Sequence, residues 1–483
     1  MFRRGLIGYL PANIVQGLVG LLTIVVFTRL LTPAQYGGYA LALSVMTLAH
    51  TSIFTWVEAA LARFQARSVE RGDMHHHLAT LMRAYVVLAV AFPALAGVAV
   101  WLVPISPPLK LAVGVGLSAI LFRSLIRLVQ ERRRADGEVM AASALDMAQT
   151  AGGFAIGVLA ITLGAGAAGP MIGIGAIAVI CLAFTLRKEL ALAREGRFES
   201  RRLADYAKYG VPVSMSLILS LVIATTDRFL LAAFLDESAV GVYHAGYTLA
   251  NRTLDVMFVW LGMAGGPAMV AALERGGRAA LNETAREQAA FMILLTLPAA
   301  VGVALVAGPL AQVMVGGALS QGAAQVTPWV AFGAFFSGMT TYYFHQAFTL
   351  GRKTHLLFAA MIIPATANLL LNLVLVPRFG IAGAMWSTAA SYAIGAAMSW
   401  LLGRRSMPLP LPLDVIWRAG LACAAMALVV TQIPAIGGIL ELALKASVGG
   451  IVYVGVVLAL DAGGLRSRGR DILHGLRARR AAA

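Results

Sequence analysis

The sequence predicts an all-α membrane protein that crosses the bilayer about fourteen times. Of its 483 residues, 59% are hydrophobic and only 12% are charged, whereas soluble domains have about 25% charged residues. Residues 5–28, 150–186 and 288–351 contain no Asp, Glu, Lys or Arg, and each run exceeds the roughly 20 residues that a helix needs to cross the hydrocarbon core. Only helices or closed barrels satisfy their backbone polar groups in lipid. Because barrel strands have about 10 alternating residues, these long uniform runs indicate helices.

Fourteen apolar segments, separated by glycine, proline and charged residues, are the candidate spans. The least distinct boundary lies between the fifth and sixth spans, where residues 164–169 mark a turn. In order, the spans cover approximately residues 6–28, 39–58, 81–103, 109–127, 140–163, 168–186, 209–234, 240–264, 288–314, 326–350, 355–376, 381–402, 415–433 and 440–460.

The basic residues mark every second connection between these spans. Of the 38 lysines and arginines, 32 lie in the N-terminus, the tail or alternate loops. Positive residues are enriched in cytoplasmic loops, so we expect a multi-pass protein of the cytoplasmic (inner) membrane with both termini in the cytoplasm. The net charge of +16 is therefore a topology signal, and we expect no nucleic-acid partner.

An internal repeat divides the chain. Residues 27–40 resemble residues 226–244, and Gly166–Gly169 resembles Gly380–Gly383. The copies are six spans apart, so they have the same orientation, which is the pattern of parallel repeats in transporters. We expect an N-terminal six-helix bundle, a second six-helix bundle, and two further helices with a basic tail, covering residues 1–200, 201–405 and 406–483.

Charged residues inside the spans are the candidate functional residues, because a charge at the bilayer centre costs at least about 2.5 kcal/mol. Arg252 and Asp255 are three residues apart on the eighth span and share a helix face. Asp227 and Arg228 lie in the seventh span, and Arg29 lies near the end of the first. These groups form either an internal ion network or a site for an anion, whose phosphate oxygens match a guanidinium fork.

We assign expected roles as follows. The substrate-binding candidates are Arg252, Arg228, Arg29, Asn251 and Asn13. The candidates for ion coupling or for internal ion pairs are Asp255, Asp227 and Asp146. Glu58 and Arg63, near the inner end of the second span, are gate candidates.

The sequence lacks the motifs of enzymes and metal proteins. It has no Walker-type phosphate loop, no nucleophile elbow and no paired-histidine zinc motif. His75, His76 and His77 are expected in a solvated loop, and a metal site there is the weaker alternative. Cys181 and Cys423 are expected to be buried small side chains. We therefore expect no enzymatic activity, no cofactor and no metal.

Three motifs resemble one known family. The segment Thr28–Leu41, TRLLTPAQYGGYAL, is similar to the first-hairpin signature of bacterial polysaccharide flippases of the multidrug/oligosaccharidyl-lipid/polysaccharide exporter superfamily. Asp227-Arg228 followed by Val240–Ala245 resembles the seventh and eighth helices of that family, and Leu373–Pro377 with Gly380–Ala384 resembles its eleventh-to-twelfth connection. The resemblance implies a MATE-like fold of two six-helix bundles in a V around a central cavity.

The resemblance also implies a function. A member of this family would flip a polyprenyl-diphosphate-linked oligosaccharide from the inner to the outer leaflet by alternating access, for O-antigen, capsule or exopolysaccharide synthesis. Transport would use the membrane potential, or a proton or sodium gradient. The expected partners are the lipid-linked substrate and membrane lipids, together with a polysaccharide polymerase and glycosyltransferases.

Three alternatives remain open at this point. A cation-coupled multidrug exporter of the same fold would use carboxylates to bind cationic drugs, and a lipid II flippase would carry a related substrate. A non-transporting scaffold of a polysaccharide synthase complex belongs to a different class and would tolerate loss of Arg252.

Overall fold

The computed structural model describes residues 2–467, with side chains except at residues 2–10, 354 and 355. Every regular element within these residues is helical. The chain divides into two compact units, Met1–His244 and Ala245–Ala483. The boundaries expected from the repeat at residues 200 and 405 remain predictions. The arginine-rich tail beyond residue 467 lies outside the described residues.

The first unit contains eight helices and the start of a ninth. In chain order these are α1 (Phe2–Leu30), α2 (Pro33–Ile53), α3 (Thr55–Glu70), α4 (Met74–Leu102), α5 (Pro107–Ala135), α6 (Val139–Ala160), α7 (Gly169–Arg194), α8 (Ser200–Phe234) and α9 (Glu237–Leu305). A π-helical turn, Ile161–Ala165, and a short 3₁₀ turn, Gly166–Ala168, join α6 to α7.

The second unit contains the rest of α9 and seven further helices. These are α10 (Ala307–Met314), α11 (Gly317–Met339), α12 (Gln346–Leu350), α13 (Thr354–Phe379), α14 (Ile381–Gly403), α15 (Leu413–Thr431) and α16 (Gly438–Ala459). The last two pack together against α9, where Cys423, Met426 and Tyr453 meet Leu294 and Leu297.

The all-α membrane fold is confirmed, and its helices are roughly consistent with the predicted number of crossings. Among the described residues, nine stretches of helix are long and apolar enough to cross a membrane, and the bent pair α2–α3 makes a tenth. Two of the nine, Val139–Arg194 with 56 residues and Glu237–Leu305 with 69, are long enough for two crossings each. Helices α11 and α14 each have 23 residues, which is also spanning length, but they are less apolar than the nine. The fold is therefore an all-α polytopic membrane fold with fourteen segments of spanning length.

Glycine in left-handed conformations interrupts the two longest stretches. Gly164 has φ 93° and ψ 9°, inside the predicted turn at residues 164–169. Gly277 has φ 65° and ψ −154°, where residues 264–288 were expected to form a loop. Helix continues on both sides of Gly277, because the residues that flank this glycine favour helix. The connection between the two predicted spans is therefore a break of one residue and not a loop.

The parallel repeat is visible in the backbone. Gly166 has φ 50° and ψ −131°, and its counterpart Gly380 has φ 58° and ψ −132°. Only glycine adopts this region readily. The glycines three residues later, Gly169 and Gly383, both pack on the preceding helical segment, and a Cβ at Gly383 would lie 2.3 Å from the carbonyl oxygen of Leu375. The same local sequence therefore builds the same helix connection twice.

The surface is as apolar as the composition requires. Trp101 and Phe184, for example, are 77% and 81% exposed. Many further large apolar side chains are exposed, as expected for a surface in contact with lipid.

Candidate functional site

The two arginines at equivalent positions of the repeat make the same contact. Nη1 of Arg29 donates to the carbonyl oxygen of Val25 at 2.7 Å, and Nη1 of Arg228 donates to that of Ala224 at 2.8 Å. Each guanidinium therefore folds back one turn along its own helix. Arg29 is exposed, as is Asn13 on the same helix, whereas Arg228 is buried.

Asp227 on α8 is completely buried. One carboxylate oxygen accepts a hydrogen bond from the backbone N–H of Arg228 at 2.9 Å, and the other accepts one from the hydroxyl of Tyr243. Because Tyr243 lies on the first turns of α9, this contact holds the two helices of the hairpin together.

Arg252, Asp255 and Asn251 lie on α9 in the second unit. Arg252 is exposed, and Asp255 and Asn251 are half-buried. Neither Arg252 nor Asp255 has a hydrogen bond or an ion pair with other described residues. An arginine and a carboxylate one turn apart, inside a helix of spanning composition, are therefore available to a ligand or an ion.

A π-helical turn, Thr340–Phe344, faces this part of α9. The ring of Tyr342 stacks on Phe258 with centroids 6.1 Å apart, and a Cβ on Gly262 would lie 2.2 Å from the ring of Tyr342. Single π-helical turns are frequent at functional sites. Tyr342 is not among the residues predicted from the sequence to lie at the site. Its only distinguishing feature in the sequence is that two consecutive tyrosines lie within an apolar span.

Asp146 belongs to an ion network at the C-terminal end of α5, where three consecutive arginines lie. We call this region the basic end of the first unit. Its carboxylate is 2.5 Å from Nη2 of Arg134 and accepts a hydrogen bond from Gln130 at 3.0 Å. Beside this pair, Arg132 binds Glu189 at 2.6 Å and Asp136 at 2.5 Å. The arrangement corresponds to the internal ion-pair alternative for this carboxylate.

The two gate candidates have different partners. Nε2 of His50 lies 3.1 Å from Oε1 of Glu58, across the 49° bend between α2 and α3. These two atoms are not aligned well enough to form a hydrogen bond, and both are buried. Arg63 lies over the ring of Tyr209, 5.9 Å from its centroid. Glu58 and Arg63 are thus not brought together.

The three consecutive histidines differ from the solvated loop that we expected. His75 Nδ1 lies 3.1 Å from the carbonyl oxygen of Leu192, and His76 Nδ1 accepts a hydrogen bond from the backbone N–H of Arg197 at 2.8 Å. His77 is fully buried and hydrogen-bonded to the hydroxyl of Tyr206. Together they attach the start of α4 to the end of α7, to the α7–α8 connection and to the start of α8.

A match to a family model shows which protein family the chain belongs to. The model described as "Polysaccharide biosynthesis protein" matches residues 2–272, more than half of the chain. The chain belongs to this family. The match covers α1 to the middle of α9, which includes every site candidate predicted from the sequence. No curated protein sequence matches the chain.

Solved structures confirm the fold of this member of the family. It is similar to a structure of the lipid II flippase MurJ in an inward closed conformation, with a TM-score of 0.76 and 13% identity, over 96% of this chain and 99% of that one. It is also similar to an inward-facing multidrug resistance MATE transporter of the MOP superfamily, with a TM-score of 0.63, 13% identity, and coverage of 81% and 94%. A third similar structure is the Vibrio cholerae MATE transporter VcmN in its bent form, with a TM-score of 0.53, 15% identity, and coverage of 84% and 96%. The predicted MATE-like fold is therefore confirmed.

Proposed function

We propose that this protein flips a polyprenyl-diphosphate-linked oligosaccharide from the inner to the outer leaflet of the cytoplasmic membrane, by alternating access. The family supports a role in polysaccharide synthesis, and the fold is shared with a flippase and with exporters, which supports transport without enzymatic chemistry. The product would be a surface polysaccharide such as O-antigen, capsule or exopolysaccharide.

The observation that carries the proposal is that Arg252 is an exposed residue in a helix of membrane-spanning composition. An arginine within a membrane-spanning helix requires either an internal partner or an aqueous ligand site. Since no ion pair with a described residue holds Arg252, an aqueous ligand site is the better explanation. A diphosphate offers the planar sets of oxygens that a guanidinium binds through two parallel hydrogen bonds.

Energy for the outward step is available from the membrane potential. Moving one negative charge out of an inside-negative cell releases about 2.3 kcal/mol per 100 mV. Coupling to a proton or sodium gradient would use a carboxylate, and Asp255 is the best candidate. Asp227 is held by Tyr243 and Asp146 by Arg134, whereas Asp255 has no hydrogen bond or ion pair among the described residues.

The location and partners follow from this function. Both termini would lie in the cytoplasm, as the distribution of basic residues predicts. Glycosyltransferases would supply the lipid-linked oligosaccharide on that side, and a polymerase would consume it on the other side of the membrane.

The test compares Arg252→Ala with Arg275→Ala, which removes the same charge from an exposed position further along α9. Each variant replaces the wild-type gene, and surface polysaccharide and accumulated lipid-linked oligosaccharide are measured at equal protein levels. We expect Arg252→Ala to reduce export at least about tenfold, as loss of about 1.4 kcal/mol of binding does, while Arg275→Ala exports normally. Arg252→Lys should have intermediate activity. Normal export by Arg252→Ala would instead favour the scaffold alternative.

A lipid II flippase is the second candidate, because the structural match to MurJ covers nearly both chains. Lipid II shares the prenyl diphosphate, so Arg252 would serve either substrate. Proteoliposomes loaded with fluorescent lipid II or with a fluorescent polyprenyl-diphosphate oligosaccharide distinguish them. The proposal expects flipping of the second substrate only. Transport of a cationic dye that depends on Asp255 would favour the multidrug alternative.

A further inference from the structure

A groove runs between α6 and α7 at the basic end of the first unit, next to the ion pair of Arg134 and Asp146. Its volume is about 520 Å³, within the range of about 300–1,000 Å³ that is typical of ligand pockets. Alanines on α6 and large apolar side chains on α7 form its walls, namely Ala141, Ala144, Ala148, Ile177, Ile180 and Phe184.

The helix packing explains why the groove forms. Further along the pair, glycines let the two backbones touch, and a Cβ on Gly173 would lie 2.2 Å from the carbonyl oxygen of Gly153. Towards the basic end, small alanines on α6 face bulky residues on α7 and leave space between them. Cys181 and Thr185 are buried at its base, and the Thr185 hydroxyl donates to the carbonyl oxygen of Cys181 at 2.9 Å. The groove is therefore almost entirely apolar.

One cation lines this apolar groove. Arg133 is the middle residue of three consecutive arginines at the end of α5. Arg132 binds Glu189 and Arg134 binds Asp146. Arg133 has no hydrogen bond or ion pair with its side chain within the described part of the chain, and its Nε is buried. Two of the three charges are thus compensated internally, and the third faces the groove.

We infer that this groove binds an anionic glycerophospholipid, with one acyl chain between α6 and α7 and the phosphate on Arg133. Basic pockets between membrane helices at the cytoplasmic side bind such headgroups. The guanidinium supplies charge-assisted hydrogen bonds to the phosphate, and the alanine and isoleucine walls cover the chain. The lining offers no array of polar groups for sugars, which argues against the oligosaccharide as occupant.

The inference does not depend on the transported substrate. It depends only on the groove, its single uncompensated cation and the membrane setting. A lipid held here would fill the space between α6 and α7 and neutralise Arg133, so it would stabilise the first unit.

The experiment measures phospholipid retention by native mass spectrometry on the full chain in mild detergent, with phosphatidylglycerol or phosphatidylcholine added. Arg133→Gln removes the cation, and Arg127→Gln is the matched control, an exposed arginine on the same helix outside the groove. We expect phosphatidylglycerol to be retained over phosphatidylcholine, and retention to fall about tenfold in Arg133→Gln, but not in Arg127→Gln.

A second variant tests the groove without changing the charge. Ala144→Phe fills it from an exposed position, and Ala62→Phe on α3 is the control. We expect only Ala144→Phe to lower retention of phosphatidylglycerol. Equal retention by Arg133→Gln and Arg127→Gln would overturn the inference, as would equal binding of the two phospholipids. Displacement of phosphatidylglycerol by an equal concentration of undecaprenyl phosphate would also overturn it, because the groove would then prefer an isoprenoid chain.

Discussion

The buried carboxylate of Asp227 on α8 accepts a hydrogen bond from the hydroxyl of Tyr243 on α9. Both side chains are completely buried. A carboxylate in such a place is stable only when its oxygens have partners, because an unpaired buried charge is expensive. The charged motif that singled out this hairpin in the sequence therefore has at least one structural task, which is to join α8 to α9.

We predict that Tyr243→Phe destabilises the protein by about 1–3 kcal/mol, because it removes a hydrogen bond to a buried carboxylate. Asp227→Asn, which keeps an acceptor for the hydroxyl, should cost less. The measurement is the unfolding midpoint in detergent. Tyr209→Phe is the control, since Tyr209 is 40% exposed. Equal midpoints for the two Tyr→Phe variants would show that the Asp227 contact adds nothing.

The starts of α2 and α9 are in direct backbone contact. A Cβ on Gly37 would lie 1.7 Å from the carbonyl oxygen of Glu237, and a Cβ on Gly241 would lie 2.2 Å from that of Pro33. These glycines occupy equivalent positions in the two copies of the repeat. Beside them, the hydroxyl of Ser106 donates to the carboxylate of Glu237 at 2.6 Å.

We predict that Gly37→Val forces these helix ends apart, because no side chain fits between the backbones. Ser106→Cys then becomes a reporter, and its labelling by a membrane-impermeant maleimide should be several-fold faster in the Gly37→Val background. The native cysteines are both buried. Gly114→Val on α5 is the matched control, since a Cβ there meets nothing within 4 Å. Unchanged labelling in Gly37→Val would mean that the ends do not separate.

The features that could be predicted are those that depend on local sequence. The repeat correctly paired Gly166 with Gly380, because a left-handed backbone needs glycine wherever it occurs. It also paired Arg29 with Arg228, whose identical contacts to carbonyl oxygens four residues earlier need only their own helices. Long apolar runs predicted the spans because helix length follows bilayer thickness.

The choice of partner for each charged residue could not be predicted. Glu58 faces His50 across a bend at Phe54, and a hydropathy pattern does not predict that bend. Asp146 pairs with Arg134 rather than remaining free, which depends on how the basic end of α5 packs on α6. Such pairings are set by tertiary geometry, and one sequence gives only the residue types.

We predict a coupling energy between His50 and Glu58 of about 0.5–3 kcal/mol, the range for residues in contact. Loss of His50 alone leaves a buried carboxylate beside the bend, whereas replacement of both partners removes the charge that needs compensation. Arg123 on α5 lies within electrostatic reach of Glu58, so it limits the effect of the single change.

The measurement is a double-mutant cycle of unfolding free energies for His50→Ala and Glu58→Ala. The matched cycle combines His50→Ala with Glu70→Ala, an exposed carboxylate at the end of α3, and should be additive within about 0.5 kcal/mol. Additivity in the first cycle would mean that the 3.1 Å approach contributes no net stability.

The attachment of the start of α4 to the start of α8 should depend on pH through Asp73. Arg202 donates two hydrogen bonds to this carboxylate, at 2.7 and 3.3 Å, and they hold the pKa of Asp73 below its ordinary value. A carboxyl group whose pKa is lower in the folded state stabilises that state above its unfolded pKa of about 3.9. This contribution is lost as the pH falls through the folded pKa.

We therefore predict that Asp73→Asn lowers the unfolding free energy at pH 7 by about 0.2–1 kcal/mol, as for other partly exposed ion pairs. The difference from wild type should shrink below about pH 4, where Asp73 of the unfolded wild-type chain begins to be protonated. Asp205→Asn removes an exposed charge from the same helix as Arg202 and controls for net charge. A difference between Asp73→Asn and wild type that stays constant from pH 3 to pH 8 would contradict this assignment, because a charge-assisted bond must weaken when the carboxylate is protonated.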